Sequence, residues 1–320
     1  MERLAEVILF PCLLTVCCLP SMVYTAGGGG GWSYSSSAAN GPANWHTVSA
    51  NCGGSSQSPI NIETDKAKFD SNLNNFDLQK FGSSNGLTSS YLKNNGHTVQ
   101  VDLPGSDYLV KGGGLPKTYK LVQFHFHWGA TDSEGSEHTV NSNSYPMEVH
   151  FVTFANSYGD ISTALGHPDG LAVLGFFFEI GSADNTNWNP IVNLLDNVRY
   201  ADTNVSLPTN FNLDSLLPSD KQVYYRYSGS LTTPTCNEVV TWTVFKQTIK
   251  ISAGQMAAFR RVFQNIEGLS NVTMAGNFRP LQSLGSREVY TSSGHVQSVT
   301  YSVVTACVLS VIFSMKYKIF

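Results

Sequence analysis

Alternation of apolar and polar residues with a period of two is the most frequent pattern along this chain of 320 residues. Such alternation is typical of strands that bury one face. Residues 171–180 are instead almost continuously apolar, which favours a strand buried on both faces. The pattern therefore predicts a β-rich single domain, with strands over residues 98–103, 120–128, 147–154, 171–180 and 238–251.

Helical periodicity is rare in this chain. It is clearest over residues 252–264, where Ser252 and Gln255 have the spacing of a capping box. Three large apolar residues would share the buried face of this helix: Met256, Phe259 and Phe263. A second helix is expected within residues 187–198. The remaining polar segments are predicted to be loops around a sheet.

The amino-terminal end carries an apolar stretch over residues 7–23, which is typical of a signal peptide. Cleavage is expected between residues 25 and 27, so that residues 1–26 would be removed. An uncleaved membrane anchor is the alternative. The globular domain is expected to occupy residues 27–284, followed by a stalk over residues 285–302.

The carboxyl-terminal end has a second apolar segment, residues 303–315, which is shorter than the roughly 20 residues that a spanning helix needs. The small residues Ser292 and Ser293 precede it, with a polar spacer between. This layout is typical of a glycosylphosphatidylinositol (GPI) attachment signal, with residues 303–320 as the removed tail. A single membrane span is the alternative, favoured by the terminal Lys316 and Lys318.

Composition and cysteine usage are typical of an extracellular domain. The formal net charge is −4 and no basic cluster occurs, which argues against a nucleic-acid partner. Four of the six cysteines fall in the two apolar ends, which leaves Cys52 and Cys236 either bridged or as separate thiols. Sequons at Asn204 and Asn271 are candidate glycosylation sites.

Histidines on two predicted strands are the candidate metal ligands. His125 and His127 share one face of a strand, and His150 can join them if the strand over residues 147–154 pairs alongside. Gln123 and Glu148 each precede a histidine by two residues, where they could orient its ring. Three imidazoles form an open zinc site with one position left for water or substrate. Two polar residues on a half-exposed face are the simpler alternative for the His-x-His pair.

Several separate motifs resemble the alpha-class carbonic anhydrases, in the same order along the chain. They are Gln57-Ser-Pro-Ile-Asn61, Asn94-Asn-Gly-His97, Gln123-Phe-His-Phe-His-Trp-Gly129, Gly135-Ser-Glu-His-Thr-Val140, Glu148-Val-His150, Gly229-Ser-Leu-Thr-Thr-Pro-Thr235 and Asn277-Phe-Arg-Pro280. The resemblance covers residues 32–284 and is closest to the extracellular GPI-anchored, type IV- or XV-like members. Ser33 stands where the type IV form has the cysteine of a second bridge.

The resemblance implies an α+β fold with a large, mostly antiparallel, twisted central sheet and short peripheral helices. It implies one zinc ion, held by His125, His127 and His150, whose hydroxide attacks carbon dioxide to give bicarbonate. Thr232 would orient the hydroxide and donate to Glu137, and His97 would shuttle the proton. A bridge between Cys52 and Cys236 is also implied.

The resemblance assigns roles to further residues around this centre. Those expected to orient the ligands are Gln123, Glu148 and Asn277. Those expected to line the substrate cavity are Val152, Val173, Leu231, Thr233 and Trp242. Those expected to order waters for the proton are Tyr34, Asn95 and Gln100. His138 is expected to be structural.

Two other functions remain to be weighed against this enzyme. A binding module that has lost zinc would lack a ligand histidine, whereas all three are present here. Another zinc hydrolase is disfavoured, because no His-Glu-x-x-His motif occurs. We therefore expect a monomeric enzyme on the outer face of the plasma membrane, attached by GPI or a span. Its expected partners are carbon dioxide, bicarbonate, water and bicarbonate transporters.

Overall fold

One large sheet organises the chain, as the alternating pattern predicts. The computed structural model describes residues 31–269 and 271–293. Within them, twelve strands form one sheet and two short strands form a separate parallel pair. Helices are few and short. The β-rich fold class expected from the sequence is confirmed.

The strands are short at the margins of the sheet and long at its centre. Their bounds are β1 Asn61–Ile62, β2 Lys68–Phe69, β3 Phe76–Gln79, β4 Tyr91–Asn94, β5 Val99–Asp102, β6 Leu109–Gly112, β7 Tyr119–Trp128, β8 Thr139–Val140, β9 Met147–Ala155, β10 Leu171–Gly181, β11 Thr203–Ser206, β12 Tyr224–Gly229, β13 Val240–Ser252 and β14 Tyr290–Thr291. The four α-helices are α1 Trp45–Val48, α2 Ile161–Ala164, α3 Asn189–Val192 and α4 Ala253–Phe259.

The main sheet is mixed rather than purely antiparallel. Its path runs β11-β4-β5-β7-β9-β10-β13-β12-β14-β2, with β6 beside β7 and β3 beside β6. Most neighbours are antiparallel, but β10 and β13 run parallel over ten paired residues, as do β14 and β2. A parallel pair needs a long crossover between its strands, and residues 182–239 supply it here.

The central strands are the most deeply buried. Every residue of β9 is buried, and so are the first eight residues of β10. This agrees with the prediction of a strand buried on both faces over residues 171–180. Because both faces are covered, a shift of register by one residue would turn every side chain to the opposite face. The relative positions of β7, β9 and β10 are therefore strongly specified.

Helix α4 begins as the sequence predicts but ends early. Ser252 accepts from the backbone of Gln255, and the Gln255 side chain accepts from the backbone of Ser252, which completes the capping box. The helix ends at Phe259 rather than near residue 264. Phe263 is still buried, but it forms a β-bridge with Thr273 and is not on a helix. The helix expected within residues 187–198 is reduced to α3, between two 3₁₀ turns.

The disulfide implied by the resemblance is present. Cys52 and Cys236 are bonded across a sequence separation of 184 residues and pack against the buried Trp45. The bridge ties the amino-terminal segment to the loop between β12 and β13. Closing so long a loop removes much conformational freedom from the unfolded chain, which contributes on the order of 3–5 kcal/mol.

The carboxyl-terminal part of the described chain extends beyond the predicted boundary at residue 284. Strand β14 pairs with β12 and β2, so the first part of the expected stalk belongs to the sheet. The Ser292 hydroxyl donates to the Gln222 carbonyl at 2.7 Å and accepts from the backbone N–H of Tyr224 at 3.0 Å. Ser292 is therefore bonded into the fold, and the backbone N–H of Ser293 donates to the Thr291 hydroxyl at 3.3 Å.

The expected signal peptide and apolar tail lie outside the described residues. Within residues 31–269 and 271–293, no helix has the length and apolar character that crossing a bilayer requires. Both sequons are exposed, Asn204 on the marginal strand β11 and Asn271 on the loop before Thr273.

Candidate metal centre and substrate cavity

Pairing of β7 with β9 brings the three candidate ligands together. His125 lies directly opposite His150 in the register of these antiparallel strands, and His127 follows His125 on the same face. One ligand atom from each ring lies within 4.8 Å of the others. Nε2 of His127 and Nδ1 of His150 are 3.1 Å apart. Three ring nitrogens thus converge on one point.

Hydrogen bonds fix the rings of the two β7 ligands. The side-chain oxygen of Gln123 is 2.9 Å from Nδ1 of His125. The backbone carbonyl of Asn277 is 2.8 Å from Nδ1 of His127. Each oxygen accepts the proton of Nδ1, so that Nε2 keeps its lone pair for a metal. The Asn277 side chain also accepts from Trp128 N–H at 2.8 Å, which holds this loop against β7.

A buried carboxylate orients the third ligand, His150, through Nε2 rather than through Nδ1. Oε1 of Glu148 lies 2.7 Å from Nε2 of His150 and 2.8 Å from Nδ1 of His138. Nε2 of His150 therefore donates, and Nδ1 faces the other two histidines. His138 continues the chain of hydrogen bonds to the Tyr227 hydroxyl at 2.6 Å. His138 thus supports Glu148 and does not face the metal centre.

Burial keeps the three candidate ligands neutral. It lowers the pKa of His125 and His150, and it lowers that of His127 to about 3. Burial alone would raise the pKa of Glu148, but His138 and His150 outweigh it and the net shift is downward. The centre therefore presents three neutral imidazoles beside a carboxylate, which is the donor chemistry of an open zinc site. The residues present fit one zinc ion.

Glu137 is a second buried carboxylate at this centre. Its Oε1 accepts the backbone N–H of Arg279 at 2.8 Å, and its Oε2 lies 3.4 Å from Nε2 of His127. Burial raises the pKa of Glu137, against the lowering effects of the Thr232 hydroxyl and of Arg279 N–H. Among the described residues, Oε2 has no hydrogen-bond partner of ordinary geometry. The Thr232 hydroxyl lies close enough to lower the pKa of Glu137, and the hydrogen bond expected between the two side chains stays a prediction.

An apolar cavity of about 280 Å³ opens beside the ligands. All five residues expected to line it do so: Val152, Val173, Leu231, Thr233 and Trp242. Thr232 and the ligands His125 and His150 also reach its wall. Such a lining suits a small apolar molecule placed next to a metal-activated water.

Five further residues of the lining were not identified from the sequence: Ile161, Leu165, Leu171, Pro234 and Thr235. Ile161 begins the short helix α2 and Leu165 follows it by one turn, so both face the same way. A helix of one turn leaves too little periodicity to be detected. Leu171 begins β10 two residues before Val173, so strand alternation places both on one face and could have identified it.

The proposed proton shuttle lies apart from this cavity. The ring of His97 stacks on that of Trp32 with centroids 3.9 Å apart, and burial lowers its pKa. His97 lines a separate cavity of about 300 Å³ together with Tyr34. Asn95 caps the turn through Oδ1, which accepts from the backbone of His97 at 3.0 Å. Gln100 donates to Asp102 at 2.6 Å and lies 3.5 Å from Asn95 Nδ2.

Arg279 lies within the motif Asn277-Phe-Arg-Pro280, but no role was predicted for it from the sequence. Its backbone N–H holds Glu137, while its buried guanidinium donates to Gln57 Oε1 at 2.8 Å and to the carbonyl of Cys52 at 3.2 Å. Gln57 in turn donates to the carbonyl of Cys236 at 3.2 Å. This cluster connects Glu137 to both ends of the disulfide.

Comparisons with known proteins agree with this geometry. The family model described as "Eukaryotic-type carbonic anhydrase" matches residues 40–293. Carbonic anhydrase 15 of Mus musculus is 39% identical over 271 residues, covering 82% of this chain and 83% of that protein. Carbonic anhydrase 7 of Homo sapiens is 40% identical over 265 residues, covering 82% of this chain and 97% of that protein. The matched segment contains every candidate metal ligand.

Replacing Gln123 should weaken metal binding without unfolding the protein. Gln123→Ala removes the acceptor that orients His125, and we expect zinc affinity to fall roughly 10- to 100-fold. The measurement is competition for zinc against a chelator of known affinity. Gln247→Ala, an exposed glutamine on β13, is the matched control and should bind zinc like the wild type. Equal affinities in the two variants would contradict the orienting role of Gln123.

Proposed function

Because the chain belongs to the eukaryotic-type carbonic anhydrase family and uses one zinc ion to hydrate carbon dioxide, we propose that it does so on the outer cell surface, with His97 as proton shuttle. Its substrates are carbon dioxide, water and bicarbonate. The observation that carries the proposal is the convergence of three neutral imidazoles at the base of an apolar cavity. A binding module that had lost its zinc would not need this complete set.

His125, His127 and His150 would hold the zinc. Bound zinc lowers the pKa of water so that a nucleophile forms near neutral pH, and carbonic anhydrase is the well-known case of this effect. Neutral ligands leave the full charge of the cation to act on that water. The hydrogen bonds that the histidine N–H groups donate to Gln123, Glu148 and the Asn277 carbonyl keep the ligand nitrogens aimed at one point, which favours one coordination geometry.

Thr232 and Glu137 would orient the attacking water. Thr232 lines the cavity and lies near Glu137, whose Oε2 has no hydrogen-bond partner within the described part of the chain. If Thr232 donates its hydroxyl proton to Oε2, its oxygen can only accept from the water, which fixes the direction of the water's lone pair. Burial opposes the ionised form of Glu137, but a nearby dication favours it. Carbon dioxide would then be placed by Val152 and Val173.

His97 would carry the proton away after carbon dioxide has reacted. An unperturbed imidazole titrates near neutral pH, which suits the exchange of protons with buffer. Its lowered pKa in contact with Trp32 favours release of the proton to solvent. Tyr34, Asn95 and Gln100 are the polar residues around it, and we propose that they order the waters between His97 and the metal centre.

The surface location is supported by three features of the chain. The Cys52–Cys236 bridge is typical of an oxidising compartment. Both sequons are exposed, so Asn204 and Asn271 are accessible to glycosylation. The apolar segment over residues 303–315 is too short for a spanning helix but fits a GPI signal, with attachment at Ser292 or Ser293.

Removing a ligand should abolish hydration. His125→Ala is the variant of choice, because His125 is only half-buried and the substitution leaves no carboxylate without its partner. The wild type is expected to bind one zinc per chain and to hydrate carbon dioxide, as measured by stopped flow. His125→Ala is expected to lose both the zinc and the activity. His167→Ala, whose ring stacks on Tyr158 and does not line the cavity beside the ligands, should behave like the wild type. A folded wild-type protein that binds no zinc and hydrates nothing would establish the binding module instead.

Replacing His97 should slow turnover but not the attack on carbon dioxide. His97→Ala is expected to lower kcat tenfold or more, while kcat/KM for carbon dioxide stays near the wild-type value. Small imidazole buffers should restore kcat, because they accept the proton directly. His46→Ala, an exposed histidine, is the control. An unchanged kcat in His97→Ala would assign the proton transfer to another group.

Phospholipase C distinguishes the two forms of membrane attachment. Cells that express the full chain should release carbonic anhydrase activity when they are treated with a phosphatidylinositol-specific phospholipase C, because a GPI anchor is cleaved at its lipid. A variant whose apolar tail is extended to about 20 residues should be retained as a spanning protein. Retention of the wild-type activity would contradict GPI anchoring.

A further inference from the structure

Another cavity, of about 390 Å³, lies at the edge of the sheet where the described chain ends. Strands β12, β13 and β14 and the segments around Asp70 and Gly114 form its walls. It shares no lining residue with the cavity beside the metal ligands. The proposed function therefore leaves it without a role.

Arg226 is the most unusual residue of this cavity at the sheet edge. It is only 8% exposed. Its Nε and Nη2 donate to the Thr243 hydroxyl at 3.2 and 2.9 Å, and Nη2 also donates to the Gly113 carbonyl at 2.8 Å. Among the described residues, Nη1 has no hydrogen-bond partner, and Arg226 forms no ion pair with a carboxylate. A buried guanidinium normally has an anionic partner, since neutral acceptors do not balance its charge.

Among the described residues, the rest of the lining supplies no ion pair, and Asp70 acts on Arg226 only from a greater distance, where it raises the pKa of the guanidinium. The Arg287 guanidinium donates to backbone carbonyls, including those of Ser228 at 3.0 Å and Gln57 at 2.8 Å. Among the described residues it also lacks an ion pair. Glu288 is paired with Lys68 and accepts from the Tyr290 hydroxyl.

Asp70 is the remaining carboxylate of the lining. Its Oδ1 accepts from the backbone and side chain of Asn72, both at 2.9 Å. Because Lys68, outside the lining, neutralises Glu288, two cations of the lining, Arg226 and Arg287, face the single carboxylate Asp70. The surplus is one positive charge, and the most deeply buried cation carries the free donor.

We propose that this cavity binds a small oxyanion, which Nη1 of Arg226 contacts. The hydroxyls of Ser228 and Thr241, which also line the cavity, are available as further donors. Charge-assisted hydrogen bonds from a guanidinium to oxyanions are strong and specific in geometry. The volume admits bicarbonate or a phosphate group but requires no larger ligand.

Two sources of such an oxyanion are consistent with the location. One is a free anion in solution, either inorganic phosphate or bicarbonate, the product of the enzyme. The other is a lipid phosphate, because the cavity adjoins β14 and lies near Ser292 and Ser293, the proposed points of attachment. If the chain is attached to a membrane beyond Ser293, the cavity lies close to the head groups.

Calorimetric titration of the zinc-loaded protein with inorganic phosphate tests the site. The wild type should show saturable binding in the millimolar range or tighter, and Arg226→Gln should bind at least tenfold more weakly because the charged donor is lost. Arg261→Gln removes the same charge from an exposed position and should bind like the wild type. Bicarbonate, titrated in parallel, should lose one site in Arg226→Gln and keep its metal-linked site.

A second variant keeps the proposal testable if Arg226→Gln fails to fold. Ser228 is exposed at the rim of the cavity, so Ser228→Glu removes no buried group and places a carboxylate beside the guanidinium. It should abolish phosphate binding while the thermal unfolding midpoint stays near that of the wild type. Sedimentation with phosphatidylserine vesicles separates the sources: vesicle binding that Ser228→Glu abolishes identifies a lipid phosphate, and binding of free anions alone identifies the solution source.

The outcomes are independent of catalysis, since binding is measured as heat or sedimentation rather than as hydration. Absence of any saturable phosphate, bicarbonate or vesicle binding outside the metal site would overturn the proposal. Equal binding by the wild type, Arg226→Gln and Ser228→Glu would overturn it as well. A protein that binds phosphate through Arg226 but hydrates no carbon dioxide would refute the proposed function and leave the anion site standing.

Discussion

The register between β7 and β9 is the constraint on which the site depends. One residue of slip would turn His150 away from His125 and His127, and it would separate Glu148 from the ring that it orients. Burial of both faces of β9 makes that slip costly, because it would expose apolar side chains and bury polar ones throughout the strand. The metal centre is therefore as strongly specified as the core itself. The same packing places Val152 and Val173 side by side, so that the substrate cavity follows from the register too.

Buried carboxylates on either side of the ligands show how the environment assigns different properties to the same chemical group. Glu148 accepts from two imidazoles and from the backbone N–H of His138, and its pKa is lowered despite complete burial. Glu137 has fewer donors, and burial raises its pKa. One carboxylate is thus fixed as an acceptor within a closed chain of hydrogen bonds. The other retains an oxygen that can respond to what binds at the centre.

The sequence was sufficient for features that depend on alternation or on a short local motif. Strand alternation placed His125 and His127 on one face, and the spacing of Ser252 and Gln255 gave the capping box that the structure contains. Where the outcome depends on long-range packing, the sequence was less informative. The early end of α4 depends on the pairing of Phe263 with Thr273, and β14 joins the sheet through partners that precede it by more than sixty residues.

Side-chain contacts across loops were the least predictable part of the site. The motifs suggested a hydrogen bond between Thr232 and Glu137, but whether it forms depends on small displacements that no spacing encodes. His97 could be identified as a histidine near the centre, but its stacking on Trp32 requires the amino-terminal segment to fold back across the turn after β4. Neither contact leaves a periodic signal, because each joins residues from separate loops.

Arg279 extends the constraint from the sheet to the loops. The residue whose backbone N–H holds Glu137 also binds, through its guanidinium, the segments that carry Cys52 and Gln57. Gln57 then reaches the carbonyl of Cys236, four residues after Thr232. The disulfide and this polar cluster therefore fix the same two loops by different means, one covalent and one electrostatic. Because Thr232 lies on one of these loops and Glu137 is held by Arg279, the position of Thr232 relative to Glu137 depends on both.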